Sequence, residues 1–320
     1  MKLLVAFLRL IRWPNLVFIA VTQWLFYFCV VDSLWLKNGS GLIFFSSQHL
    51  LFYLLIAASV MIAAAGYIIN DYFDLQIDVV NKPDKVVVDR VVKRRWAIVW
   101  HLVFSTAGVI ASFFISYKTG SYLIVTANIF CVLLLWVYST TFKKKLLTGN
   151  IIIAALTAWV IVVVYYFAGA DIINYDGFYE SAHPFDIRKL YKLTILYAGF
   201  AFIISLIREV VKDLEDMYGD AKYNCKTMPI VWGVPAAKVF SAVWIVVCIA
   251  LLGIVQLYAW QSGWWISALY SIILIILPLI FILKDLYKAT IPADYHKLSR
   301  LIKLVMLTGI LSMLFFKFSG

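Results

Sequence analysis

Apolar residues run along this chain in long blocks separated by short polar stretches. A helix that crosses a bilayer needs roughly 17–25 predominantly apolar residues. Blocks of that kind are predicted at Leu16–Leu36, Leu50–Ile69, Trp96–Ile115, Tyr122–Val137, Ile151–Ala168, Leu190–Leu206, Val239–Tyr258, Trp264–Leu283 and Leu301–Phe316. That gives nine helices, two of them short. No linker, low-complexity run or soluble domain interrupts them. The predicted fold class is therefore all-α, a polytopic membrane protein built as one domain over residues 1–320. The opening MKLLVAFLRLIRWPN does not read as a cleaved signal. Arg9 and Arg12 break its apolar run and no small-residue cleavage site follows. It reads as an amphipathic interfacial stretch feeding the first span.

Composition agrees with that pattern. Of 320 residues, 64% are hydrophobic and 14% charged, against about half and about a quarter in soluble domains. The net charge of +11 comes from 28 Lys+Arg over 17 Asp+Glu. With the N-terminus inside and nine spans, 22 of the basic residues fall in inside segments and 6 outside. That bias follows the positive-inside rule, and it predicts a cytoplasmic N-terminus and an outside C-terminus. The charge is thus a topology signal in short loops, which argues against nucleic acid as a partner. No obligate protein partner is implied. Cys29, Cys131, Cys225 and Cys248 are scattered and form no metal-type spacing. His49, His101, His183 and His296 form no paired helical motif.

The acids are distributed very differently. NDYFDLQID places Asp71, Asp74 and Asp78 after the second apolar block, and KDLEDMYGD places Asp213, Asp216 and Asp220 after the sixth. Both read D-x-x-D-x-x-x-D, and each leads into a basic loop. Spans two and six lie four helices apart, which suggests two related four-helix halves plus one helix. With Asp84, Asp89, Glu209 and Glu215 beside them, these two short segments hold ten of the 17 acids.

On a helix each residue turns about 100°. Asp71, Asp74 and Asp78 then share an arc of roughly 60°, and Asn70 widens it to roughly 100°. The second triplet repeats the arc. Stacked like charges repel. A carboxylate in the bilayer centre costs roughly 2.5–3.5 kcal/mol on insertion scales, so three would cost about 8–10. The triplets must face water, basic partners or a cation. Oxygen ligands suit Mg²⁺ or Ca²⁺ rather than zinc or copper. Mg²⁺ takes one or two carboxylates and completes its shell with water and phosphate oxygens. A lipid diphosphate would accommodate acids, bases and apolar helices together, with its head on the metal and its tail among the helices.

Asn70, Asp74 and Asp78 fit N-x-x-x-D-x-x-x-D, and Asp216 and Asp220 fit a later D-x-x-x-D. With NKPDK, YSTTFKKKLLTGN and REVVKDLEDMYGDAKYNCKTMPI, the chain resembles the UbiA superfamily of intramembrane prenyltransferases over nearly its whole length. The resemblance implies nine transmembrane helices and transfer of a prenyl group from a polyprenyl diphosphate to a lipophilic acceptor. It implies two Mg²⁺ ions between the aspartates and the diphosphate, ionisation of the allylic C–O bond, and capture of the cation by the acceptor. Asn70, Asp74, Asp78, Asp216 and Asp220 would be the catalytic and metal-binding groups, with Asp71 and Asp213 as further metal contacts or as orienters. Asn15, Lys85, Arg90, Tyr138, Lys143, Asn150, Arg208 and Lys212 would be substrate-binding. VVVDR, residues 86–90, departs from the proline-containing stretch such enzymes often carry after the aspartates.

The motif wording is most similar to the branch that makes digeranylgeranylglyceryl phosphate, in which a glycerol hydroxyl is the acceptor. An aromatic acceptor of a quinone, tocopherol or chlorophyll-type pathway is the alternative. A cation transporter is the alternative from another class, since intramembrane carboxylates and repeated halves also suit ion pathways. The basic loops beside the aspartates favour a polyanionic ligand instead.

Overall fold

The computed structural model describes residues 2–34, 45–81, 87–89, 91–176 and 186–318. Among them, nine helices are long and apolar enough to cross a membrane. Each overlaps one predicted block and seven bracket it; the first block extends to Leu36, outside the described residues, and the eighth begins at Trp264, one residue before its helix. No strand occurs among the described residues beyond an isolated Val88–Val92 bridge. The helices overrun the apolar blocks, most of all in the sixth span. The predicted block ends at Leu206, yet its helix continues through the second aspartate motif to Lys222. Apolar runs report the hydrocarbon-facing length, whereas a helix continues in water while its residues are good helix formers.

The chain folds as two compact units. The first comprises Met1–Thr141 with Trp159–Ile195, and the second Phe142–Ala158 with Leu196–Gly320. Each contains one D-x-x-D-x-x-x-D motif.

In the first unit, α1 (Lys2–Leu10) is followed by α2 (Trp13–Leu25), which carries Pro14 in its first turn and runs on through a π-helical turn, Phe26–Val31. The joint is Arg12, whose backbone is left-handed at φ 50°. Leu3, Leu4 and Leu8 of α1 are exposed, while Ala6 and Leu10 are buried with Ile68, Val87, Val88 and Ala97. That is the two-faced character expected of an interfacial helix. Helix α3 (Phe45–Phe73) is succeeded, after a break at Asp74, by α4 (Leu75–Asn81). Helices α5 (Arg94–Thr119) and α6 (Tyr122–Thr140) pack closely against α3. A Cβ on Gly108 would stand 2.7 Å from Ile62, and one on Gly66 would stand 2.8 Å from Leu135. Apolar interiors give little drive for association in lipid, so close approach at small residues and buried polar pairs hold such helices together. Gln23 donates to Ser59 Oγ at 2.9 Å and to the Val160 carbonyl at 3.1 Å. Asn128 donates to Ser112 Oγ at 2.8 Å and accepts from the Trp159 indole at 3.1 Å.

Helices α7 (Thr148–Asp176) and α8 (Ile187–Lys222) each contribute residues to both units. In the second unit the short α9 (Met228–Val231) leads into α10 (Val234–Gln261). The next span is α11 (Trp265–Ser271), a π-helical turn over Ile272–Ile276, and α12 (Leu277–Lys288). Pro278 lacks the backbone donor that a regular helix would need there. The unit closes with α13 (Pro292–Leu311) and α14 (Leu314–Phe318). Its core joins Ile204, Ile207 and Val211 of α8 to Ile245, Ile282, Ile302 and Val305. A Cβ on Gly309 would stand 2.5 Å from the Phe200 ring.

Candidate active site

The first motif sits at the C-terminal end of α3. The Asp74 amide donates to the Asn70 carbonyl at 2.9 Å, and the Asp78 amide to the Asp74 carbonyl at 2.8 Å. Helical hydrogen bonding thus carries across the break, and the predicted arc survives. Asn70 and Asp74 are buried, while Asp71 and Asp78 are half-buried. The Asn70 amide donates to Asp74 Oδ2 at 2.6 Å. The other amide atom, Asn70 Oδ1, is buried without a hydrogen-bond partner. Leaving such an acceptor unmet costs about 1–3 kcal/mol.

Asp71 turns to a different partner. The Arg12 guanidinium bonds Asp71 Oδ1 at 2.7 Å and lies 5.2 Å from the centroid of the Tyr67 ring. Burial works against the Arg12 charge. The negative charge of Asp71, with Tyr67 and Asp78, more than offsets it and raises the guanidinium above its ordinary pKa, so it stays cationic. A second arginine, Arg94 at the start of α5, stacks over Tyr72 at 4.5 Å. The sequence signalled Arg12 and Arg94 only as topology charges. Their pairing with α3 depends on where α1 and α5 pack, which spacing does not encode.

The second motif ends α8. Asn224 adopts φ 56° just past the helix, and the Cys225 amide returns to the Asp220 carbonyl at 3.0 Å. This left-handed C-terminal cap stops the helix directly after the third aspartate. Asp220 is buried, and Asp213 and Asp216 are half-buried. Asn150 of α7 donates to Asp213 Oδ2 at 2.8 Å. Glu209 holds both nearby cations, Arg208 at 3.0 Å and Lys212 at 3.5 Å. Glu209 is not among the site residues predicted from sequence, although it stands four residues before Asp213 on the same arc, the spacing that would have included it. Lys143 lies on the turn Phe142–Lys144. That turn is joined to the segment after α8 by the Lys226 amide, which donates to the Lys144 carbonyl at 2.8 Å.

Asn15 lies in the first turn of α2, and Tyr138 in the last turn of α6, both half-buried. Lys85 and Arg90 fall outside the described residues. The neighbouring Asp89 is left-handed at φ 67° and its amide donates to the Val92 carbonyl, forming a tight turn.

Asp71 in the last turn of α3 and Asp220 in the last turn of α8 lie at C-terminal helix ends, where the helix dipole disfavours negative charge. Carboxylates there need a cation. Among the described residues no three His, Cys, Asp or Glu side chains converge on a metal position by themselves. The donors fit Mg²⁺ shared with phosphate oxygens: a buried carboxylate, Asp74, beside the unmet oxygen of Asn70.

Residues 24–305 match the model of the UbiA prenyltransferase family. The chain belongs to that family. This UbiA-family chain is accordingly a prenyltransferase and an integral membrane protein, which removes the cation-transporter alternative. It is 28% identical over 254 residues to a digeranylgeranylglyceryl phosphate synthase of Methanosphaera stadtmanae, covering 78% of this chain and 81% of that one. Its fold is similar to the solved structure of a digeranylgeranylglyceryl phosphate synthase, with TM-score 0.60, 22% identity, and 98% and 99% of the two chains covered. It is also similar to a UbiA homologue from Archaeoglobus fulgidus bound to DMAPP and Mg²⁺, with TM-score 0.57, 17% identity, and 96% and 98% covered.

Proposed function

We propose that this prenyltransferase moves a prenyl group from a polyprenyl diphosphate to the free hydroxyl of a geranylgeranylglyceryl phosphate-type acceptor, using Mg²⁺, and that the whole chain serves as one catalytic domain. The observation that carries the reading is the buried Asn70–Asp74 pair with its unmet Oδ1, set at the end of an apolar helix. The name of the Methanosphaera stadtmanae relative supports the acceptor class, and the DMAPP and Mg²⁺ bound to the Archaeoglobus fulgidus homologue support the donor and the metal.

Mg²⁺, which we propose binds as two ions, would supply positive charge to the leaving diphosphate. Asn70, Asp74 and Asp78 in the first unit, and Asp216 and Asp220 in the second, would hold Mg²⁺ with oxygen ligands. Lys143, with Lys85 and Arg90, would bind the remaining phosphate oxygens, as would Arg208 and Lys212 on exchanging Glu209 for phosphate. The apolar and aromatic side chains around the prenyl chain exclude water while its first carbon carries positive charge, and ring faces stabilise that charge. That charge arises as the carbon–diphosphate bond breaks and its electron pair leaves with the diphosphate; the acceptor oxygen then bonds to the cationic carbon, and the hydroxyl proton passes to the released diphosphate. The basic-residue bias supports a cytoplasmic side for both motifs and for the N-terminus.

The test is prenyl transfer by the purified full chain from geranylgeranyl diphosphate to geranylgeranylglyceryl phosphate or to 4-hydroxybenzoate, each with Mg²⁺ and with EDTA. Mg²⁺-dependent ether product, abolished in Asp74→Ala and Asp216→Ala, is expected. Transfer to the aromatic acceptor alone would replace the ether-lipid reading. No metal-dependent transfer to either would reject both acceptors.

A further inference from the structure

We infer that the first aspartate of each D-x-x-D-x-x-x-D motif is a positioning residue rather than a metal ligand, held by Arg12 in one unit and by Asn150 in the other. The inference rests on the Mg²⁺-dependent reading above and divides its carboxylates into two roles.

Consider the order of side chains around α3. Asn70, Asp74, Asp78 and Asp71 follow one another across roughly 100° of helix surface, with Asp71 at the far edge from Asn70. At that edge the Arg12 guanidinium occupies Asp71 Oδ1 at 2.7 Å. A dication on the same carboxylate would stand close to a fixed positive charge, so the pair disfavours Asp71 as a ligand. It leaves two carboxylates, Asp74 and Asp78, with Asn70, which matches the one or two that Mg²⁺ takes beside phosphate oxygens. The pair is also built to stay. Arg12 holds a left-handed backbone, φ 50° and ψ 51°, that non-glycine residues seldom adopt. In that conformation its side chain reaches back over Tyr67, one turn before Asp71. Tethering Asp71 fixes the rotation of the last turn of α3, which carries Asn70 and leads directly into Asp74.

The second unit repeats the device with different chemistry. Asp213 occupies the matching edge of its arc, and the buried Asn150 amide donates to it at 2.8 Å. Asn150 is neutral, so it orients Asp213 through a hydrogen bond alone, with no ion pair. A recurring tie on the same motif position, made by unrelated residue types, indicates a shared need to hold that aspartate. It assigns Asn150 to Asp213 rather than to substrate.

The experiment uses detergent-purified full chain and two readouts: thermal stabilisation by Mg²⁺ with inorganic diphosphate, and the Mg²⁺ concentration for half-maximal turnover. Asp74→Asn and Asp216→Asn should lose the stabilisation. Asp71→Asn, Arg12→Gln and Asn150→Leu should keep it but need about tenfold more Mg²⁺, the scale of losing a partner that orients a ligand. The exchanged pair Arg12→Asp/Asp71→Arg should recover most of that shift, and Arg12→Lys should recover part. These two decide the matter even if Arg12→Gln folds poorly. Loss of stabilisation in Asp71→Asn as complete as in Asp74→Asn would overturn the inference, as would an unchanged Mg²⁺ requirement in Arg12→Gln together with no rescue by the exchanged pair. Graded stabilisation without prenyl transfer would overturn the transfer reading and keep this one. A parent protein that Mg²⁺ and diphosphate do not stabilise overturns both.

Discussion

Asn70 illustrates how one side chain carries two demands. Its Nδ2 is spent on Asp74 at 2.6 Å, which fixes the carboxylate, while its Oδ1 stays buried and unmet. A leucine there would fill similar space but free Asp74 to turn and remove an oxygen ligand. Asn70→Leu is therefore expected to lower Mg²⁺-dependent turnover about 100-fold, the upper scale for disturbing a ligand's support. Thermal stability without Mg²⁺ should change little, because removal of the unmet oxygen is set against the hydrogen bond that the buried Asp74 carboxylate loses. Turnover near that of the parent would show that Asn70 is only a helix-end packing residue. Asp74→Asn differs, since it keeps the shape and removes the charge.

The C-terminal ends of α3 and α8 turn residue chemistry into position. For α8 the device is Asn224, whose left-handed backbone lets Cys225 bond back to Asp220. Asparagine and glycine tolerate that conformation, while a β-branched residue pays a penalty of about 1–2 kcal/mol. Asn224→Gly should leave thermal unfolding nearly unchanged. Asn224→Val should lower stability by about 1–2 kcal/mol and raise the Mg²⁺ requirement by loosening Asp220. Equal behaviour of the two variants would show that the cap does not hold the motif. Such caps also mark what was legible beforehand. The nine spans, the two aspartate triplets and their shared arc follow from hydrophobic blocks and a period of about 3.6 residues. Their ends did not, as α8 shows by running on past Leu206. Nor did the partners of Asp71 and Asp213, because Arg12 lies 59 residues from one and Asn150 lies 63 from the other. Pairing over such separations depends on packing, whereas Glu209, four residues from Asp213, was within reach of the same periodic argument.

At the scale of the whole chain, the surface carries many large apolar side chains: Phe113, Ile254 and Leu257 are more than half exposed. Lipid is the environment that makes such a surface stable, and charge then decides which end of each helix meets which side. Lys118, at the end of α5, falls among the 6 basic residues assigned outside, and Lys145, after α6, among the 22 inside. Both positions are exposed, whereas the four native cysteines are all buried. A single cysteine introduced at either position should therefore be the site that a membrane-impermeant maleimide reaches. In intact cells Lys118→Cys should label and Lys145→Cys should not, and permeabilisation should bring Lys145→Cys to the same level. The opposite pattern would invert the topology and put both aspartate motifs on the outer side. Labelling of both in intact cells would mean that the stretch Tyr122–Thr140 does not cross, and that the count of nine spans is wrong.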